Sequence, residues 1–109
     1  MKMDEMMIFG IVSNAGNAKG FAYEAIEAAE NNEFEKAEAL LKEGHKALGE
    51  AHKAQTDMIY AEAQGDHVEF NIILVHAQDH LMTAMTELNM AEKFIKLYRR
   101  MEEQCGGSK

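Results

Sequence analysis

Apolar residues recur every three or four positions along most of the chain, which is the period of an amphipathic α-helix. The first such segment runs from about Met6 to Glu30 and is interrupted by an Asn31-Asn32 pair. A second segment keeps heptad steps as far as Gly65, a residue typical of a helix end. Asn32 is the expected N-cap of this second helix, because Glu35 follows three positions later as in a capping box. The positions that keep these heptad steps are Phe34, Ala37, Leu41, Gly44, Leu48, Ala51, Gln55 and Met58.

The third periodic segment is the longest, and we expect a helix from Glu69 or Phe70 to about Glu103. Three long helices joined by short turns predict an all-α protein, an antiparallel three-helix bundle with up-down-up topology. One unbroken apolar seam of this helix comprises Phe70, Leu74, Ala77, Leu81, Ala84, Leu88, Ala91, Ile95 and Tyr98. A second stripe holds Ile73, His76, His80, Thr83, Glu87, Met90, Phe94 and Leu97.

Between residues 70 and 85 the third helix is apolar nearly all round. Two neighbouring helices of one chain cover only part of such a helix, so another surface must bury the rest. A second copy of the same chain is the simplest source, and cyclic symmetry is the common result. The pattern therefore predicts a homo-oligomer in which the third helix packs against its symmetry mates, and the spacing alone leaves two or three copies open.

Length, composition and charge narrow the class of protein. The 109 residues suit one domain, which we place at 1–104 with a flexible tail at 105–109. The chain has no proline, which favours helix. Its net charge of −8 argues against binding to nucleic acid or to anionic membrane surfaces. We see no signal peptide and no apolar stretch that would insert into a membrane. The single cysteine, Cys105, excludes an internal disulfide, and we expect a cytoplasmic protein.

The candidate chemistry lies in the third helix, where His76, Asp79, His80 and Thr83 are separated by offsets of three, four and seven. These offsets place all four on one side of the helix. A carboxylate buried beside two imidazoles is costly unless the groups are paired, bind a metal or take part in a reaction.

Four interpretations of this cluster compete. The histidines could be structural and satisfied by neighbours, or His-x-x-x-His could bind zinc, although the glutamate of a zincin and paired cysteines are missing. A di-metal carboxylate bundle is disfavoured because it uses Glu-x-x-His, which does not occur here. The fourth interpretation is nucleophilic catalysis, in which a neutral imidazole attacks phosphorus near neutral pH.

A phosphoryl-accepting histidine needs one accessible ring nitrogen, donors for the phosphoryl oxygens and a means of orienting the ring. His80 and Gln78 are candidate donors, and Gln55 of the second helix is a third. The chain has no glycine-rich phosphate loop for a nucleotide, so the phosphoryl donor would be another phosphoprotein.

The segment LVHAQDHLMT, residues 74–83, resembles the active-site signature of the lactose/cellobiose/chitobiose class of enzyme IIA. These proteins are soluble components of the bacterial phosphoenolpyruvate-dependent sugar phosphotransferase system. The resemblance extends over almost the whole chain, with IVSNAGNA (11–18) similar to the first helix, AAENNEF (28–34) to the first turn and EAHKAQT (50–56) to the second helix.

This resemblance implies a subunit of three antiparallel helices assembled into a nine-helix homotrimer. It implies that His76 carries the phosphoryl group, that the phosphocarrier protein HPr donates it and that a cysteine of enzyme IIB accepts it. It also implies that Asp79 and its symmetry mates surround a divalent cation on the threefold axis. Magnesium fits best, because it is a hard cation that prefers oxygen ligands.

The position of Asp79 around the helix agrees with that division of roles. Asp79 shares a stripe with Val75 and Met82, apart from His76. Three converging carboxylates would repel one another unless a cation or protons neutralised them. The alternative function is a non-catalytic, metal-stabilised helical assembly, which would require His76 and Asp79 to converge on one site. The sequence does not name the sugar, and it assigns no role to His52 beyond that of a surface or interface residue.

Overall fold

The computed structural model describes residues 5–105 and contains three α-helices. They are α1 (Glu5–Glu30), α2 (Phe34–Ala63) and α3 (Ile72–Cys105). Cross-helix pairs show the directions, because α1 meets α3 at a constant offset (Lys19 with Thr83, Tyr23 with Glu87). Such an offset means that α1 and α3 run parallel. The helix between them in sequence, α2, runs antiparallel to both. The predicted all-α, up-down-up bundle is confirmed, with extents of 62 × 22 × 19 Å.

The core lies along α1, which packs closely against both other helices. Small side chains on α1 allow this close approach, and the buried ones include Ala15, Ala18, Ala22, Ala25, Ala28 and Ala29. The predicted apolar seam of α3 is buried from Leu74 to Ile95, whereas Tyr98 is half-buried and Phe70 is exposed. On α2, a Cβ atom at Gly44 would lie 2.7 Å from Cδ1 of Leu88, so a larger residue there would force the buried Leu88 side chain to shift.

The turn between α1 and α2 differs from the prediction, because Asn32 ends α1 and does not cap α2. Asn32 has a φ of 61°, a left-handed conformation that asparagine tolerates better than most residues. Its N–H donates to the carbonyl of Ala29 at 3.0 Å, and the N–H of Glu33 donates to that of Ala28 at 2.9 Å. This pair of bonds is a Schellman motif. Glu33 is the N-cap of α2 and makes no side-chain capping bond, so the predicted capping box is wrong.

Gly65 ends α2 as predicted, and it does so through the same motif. Gly65 has a φ of 89°, its N–H donates to the carbonyl of Glu62 at 3.1 Å, and the N–H of Asp66 donates to that of Ala61 at 2.9 Å. Glycine is favoured here because it has no Cβ to oppose the left-handed conformation.

The third helix begins later than predicted, at Ile72 instead of Glu69 or Phe70. Asn71 is its N-cap, since Oδ1 of Asn71 accepts the N–H of Leu74 at 2.8 Å. At the other end, Cys105 is the last residue of α3 and is exposed. Residues 1–4 and 106–109 lie outside the described residues, so the boundary between a domain at 1–104 and a tail stays a prediction. Within residues 5–105, every helix is too polar or too short in its apolar stretches to cross a membrane.

Candidate functional site

His76 and His80 lie one turn apart on α3, and their rings stack. The ring centroids are 5.7 Å apart, with an angle of 17° between the planes. His76 is exposed and His80 is half-buried. His76 is therefore the imidazole that a reactant can approach, while His80 lies beside it where it can orient a bound group.

The surroundings of His80 favour the uncharged form of its ring. Burial, followed by the nearby charges of Lys19 and His76, holds the pKa of His80 below the ordinary value of 6.5, while Glu87 and Asp79 act in the opposite direction. A neutral imidazole has one N–H donor and one acceptor nitrogen. His80 can thus donate one hydrogen bond to an oxygen of a group attached to His76.

Polar side chains of α1 and α3 form a network beside His80. The ammonium of Lys19 donates to Oγ1 of Thr83 at 2.7 Å and to Oε2 of Glu87 at 3.1 Å. The hydroxyl of Tyr23 donates to the other carboxylate oxygen of Glu87 at 3.2 Å. Our sequence interpretation included Thr83 and Glu87 in the stripe of His76 but missed Lys19 and Tyr23. Their place at the site depends on how α1 is aligned with α3, and no pattern within either helix reports that alignment.

The predicted supporting glutamines contact each other on another side of α3. Nε2 of Gln55 donates to Oε1 of Gln78 at 2.7 Å, and Nε2 of Gln78 is buried without a hydrogen-bond partner among residues 5–105. Both side chains line an apolar cleft of about 600 Å³ between α2 and α3. Within residues 5–105 of one chain, neither glutamine hydrogen-bonds to His76 or His80. The role of the glutamines in the site stays a prediction. It requires a second chain, so that the Gln55–Gln78 pair of one chain lies beside the His76–His80 pair of another.

Asp79 is exposed in the single chain, so its burial at a threefold axis stays a prediction. Its neighbours on the same stripe are apolar and also exposed, Val75 at 56% and Met82 at 49%. No group of three or more His, Cys, Asp or Glu side chains within residues 5–105 is arranged to hold a metal ion. One chain contributes a single carboxylate here, whose oxygens are the ligand type that magnesium prefers. The residue therefore fits a cation shared between chains, and that cation stays a prediction.

Comparison with known proteins gives consistent matches over nearly the whole chain. The family model described as "PTS system, Lactose/Cellobiose specific IIA subunit" matches residues 6–99. The lichenan-specific phosphotransferase enzyme IIA component of Bacillus subtilis is 43% identical over 104 residues, covering 95% of this chain and 94% of the relative. The cellobiose-specific EIIA component of Lactococcus lactis subsp. lactis is 42% identical, covering 88% of this chain and 83% of the relative.

Solved structures agree with the sequence matches. The crystal structure of the cellobiose-specific enzyme IIA from Bacillus anthracis has a TM-score of 0.87 and 39% identity, and 94% of each chain is covered. A solution structure of the IIA(Chitobiose)–HPr complex of Escherichia coli has a TM-score of 0.78 and 34% identity, covering 90% of this chain and 95% of that chain.

Proposed function

Because the chain belongs to the lactose/cellobiose-specific IIA subunit family of the phosphotransferase system, we propose that it accepts a phosphoryl group on His76 from phosphorylated HPr. The observation that carries this proposal is the exposed ring of His76 stacked on the half-buried ring of His80. HPr is the proposed donor because the related IIA(Chitobiose) is seen in a complex with HPr.

In the proposed reaction, an unprotonated ring nitrogen of His76 attacks the phosphorus of phosphohistidine on HPr. The new N–P bond forms as the N–P bond on HPr breaks, and the imidazole of HPr leaves with the electron pair. His80 donates its N–H to a phosphoryl oxygen and so stabilises the charge that the group carries. The acceptor in the next step is a cysteine of enzyme IIB, whose thiolate attacks phosphorus and releases His76. The sugar served is of the lactose/cellobiose/chitobiose type.

The proposed assembly is a homotrimer, supported by apolar surface at the start of α3. Phe70 and Ile72 are 77% and 86% exposed in the single chain, and Ile73 and Val75 are also exposed. Together with the cleft between α2 and α3, they form an apolar surface of the kind that usually marks an interface. Packing α3 against two symmetry mates covers it and brings Asp79 to the axis. A divalent cation held there by Asp79 of each chain would supply charge neutralisation.

Phosphorylation of the purified protein tests the assignment of His76. Intact mass after incubation with phosphoenolpyruvate, enzyme I and HPr should show one acid-labile phosphate on the wild type and none on His76→Ala. His52→Ala is the matched control, because His52 is an exposed histidine of α2 outside the site. Helical content by circular dichroism should be equal in all three proteins. A phosphate that persists in His76→Ala would show that another residue is the acceptor.

A further inference from the structure

We propose that Lys19 of α1 is a positioning residue of the phosphoryl-acceptor site, acting on His80 through the hydroxyl of Thr83. The inference deepens the proposed function and rests on it for its kinetic consequence. It follows from three features of the structure: a hydrogen-bonded link from α1 to the backbone of α3, the close packing of His80 on α1, and the restraint of the lysine itself.

The link runs through Thr83. Lys19 donates to Oγ1 of Thr83 at 2.7 Å, and the same hydroxyl donates toward the carbonyls of Asp79 at 3.0 Å and His80 at 3.1 Å. A hydroxyl has one proton and two lone pairs, so Thr83 can share its proton between the two carbonyls while it accepts from the ammonium. Accepting from a cation polarises the hydroxyl and strengthens the bonds it donates. Lys19 is thereby connected to the backbone that carries His80.

The ring of His80 is held between two surfaces. On one side it stacks on His76. On the other side Nε2 of His80 lies 3.4 Å from the place where a Cβ atom at Gly16 would be, so the ring rests closely on the backbone of α1. Lys19 follows Gly16 by one turn of α1. The same turn of α1 therefore provides both the surface on which the His80 ring packs and the lysine that hydrogen-bonds to Thr83.

Lys19 is restrained enough to hold a fixed position. Its side chain is 20% exposed, and Oε2 of Glu87 receives its second hydrogen bond at 3.1 Å. Tyr23 fixes the other oxygen of that carboxylate. A long lysine side chain loses rotamer freedom when it is tied down, and two charge-assisted bonds offset that cost. Because Glu87 neutralises Lys19, the pair adds little net charge to the site, which fits a positioning role.

The test measures the rate of phosphoryl transfer from phosphorylated HPr to the wild type and to Lys19→Met, which keeps the length of the side chain and removes the ammonium. We expect the rate to fall about 10- to 100-fold, because misplacing a group by about 1 Å can cost about 100-fold. Thr83→Val, which removes only the hydroxyl, should give a similar loss. The double variant should be no slower than either single variant, since both interrupt one path. Lys19→Arg should restore most of the rate.

Lys36→Met is the control for loss of a positive charge, because Lys36 is exposed and its ion pair with Glu33 is local in sequence. A second readout is independent of phosphorylation: the ring ¹⁵N resonances of His80 should shift in Lys19→Met and Thr83→Val but not in Lys36→Met. Wild-type transfer rates in Lys19→Met together with unchanged His80 resonances would overturn the inference. Additive losses in the double variant would also overturn it, because they would show two separate paths. If the wild type takes up no phosphate, the proposed function is wrong, and the His80 resonances alone decide whether Lys19 positions the ring.

Discussion

The two stacked imidazoles have different surroundings, and this difference supports the different roles proposed for them. His76 is open to solvent, whereas His80 packs against Gly16 and has a lowered pKa. An exposed imidazole can be reached by a large protein donor, while a restrained and uncharged one is suited to donate a hydrogen bond in a fixed direction. In the proposed function, the reactive group and its support are thus separated within one turn of helix.

His80→Ala should slow phosphorylation of His76 without removing the acceptor. We expect a loss of about 100-fold in rate, the lower end of the range for removing one donor to a developing charge. The measurement is the time course of phosphate incorporation, with the final stoichiometry at one per chain. A variant that never reaches this stoichiometry would show that His80 is required for acceptance itself.

The stability of the folded protein is also expected to depend on pH, through a carboxylate beside the turn between α2 and α3. The carboxylate of Glu62 accepts hydrogen bonds from Nδ1 of His67 and, at 3.2 Å, from the N–H of Val68. The bond from His67 is the main cause, and that from Val68 the second, of a pKa of Glu62 below its ordinary value of 4.5. The pKa of Glu62 is lower in the folded than in the unfolded protein. Glu62 therefore contributes to stability at pH values above its ordinary pKa, and this contribution is lost as the pH falls through the lowered pKa.

Glu62→Gln should therefore lower the melting temperature at neutral pH and make little difference in strong acid. Glu50→Gln is the control, because Glu50 is also an exposed glutamate of α2. Thermal melts of the three proteins at both pH values test the expectation. A difference between wild type and Glu62→Gln that stays constant with pH would assign the effect to something other than the carboxylate charge.

At the scale of whole elements, the periodicity of the chain predicts the helices but not all of their ends. Gly65 was predictable because a left-handed helix end strongly favours glycine. Asn32 was not, since asparagine is common both as an N-cap and in the left-handed conformation, and Glu35 suggested the first. The start of α3 was placed early for a similar reason: Phe70 continues the apolar period, but the cap formed by Asn71 decides where the helix begins.

Replacing Asn71 tests this assignment of the helix start. Asn71→Ala leaves the N–H of Leu74 without its side-chain acceptor and should reduce the free energy of unfolding by about 1 kcal/mol. Asn71→Asp should retain the stability, because aspartate accepts the same bond and suits the positive end of the helix dipole. Urea unfolding followed by circular dichroism gives both values. Equal stability of the alanine and wild-type proteins would mean that the cap contributes nothing.

At the candidate site, too, the sequence predicts which residues of one helix lie together but not which residues a neighbouring helix adds. The stripe of His76, His80 and Thr83 follows from spacing within α3, so the sequence predicts those residues together. Lys19 reaches the stripe only because α1 lies parallel to α3 in one particular register. That register results from packing of many small side chains on α1, to which no single residue contributes a recognisable signal.

At the scale of the whole molecule, the single chain leaves apolar side chains uncovered on α3. We expect a trimer in solution at micromolar concentration, because exposed residues such as Phe70, Ile72 and Val75 would gain from burial. Sedimentation equilibrium measures the mass directly. A monomer mass with native helicity would contradict the assembly and would remove the basis for a cation shared between chains.

Removing the charge of Asp79 tests whether this residue acts in assembly and not in phosphorylation of His76. Val75 and Met82 flank Asp79, so three copies at a threefold axis would place ionised carboxylates in an apolar setting, where they repel strongly. Asp79→Leu should keep the trimer or strengthen it, since apolar replacement of buried charge is often neutral or stabilising. Phosphorylation of His76 should largely survive.

A chelator distinguishes a structural cation from one that belongs to the reaction. If Asp79 holds a divalent cation between chains, chelation should lower the melting temperature of the wild type, because the repulsion between carboxylates returns. The same treatment should leave Asp79→Leu unchanged, because that variant has neither the ligands nor the repulsion. If chelation instead stops phosphorylation of purified wild type by preformed phospho-HPr while its melting temperature and mass are unaltered, the cation acts at His76. Asp79 would then belong to the same functional unit as the two histidines, although it lies on a different stripe of α3.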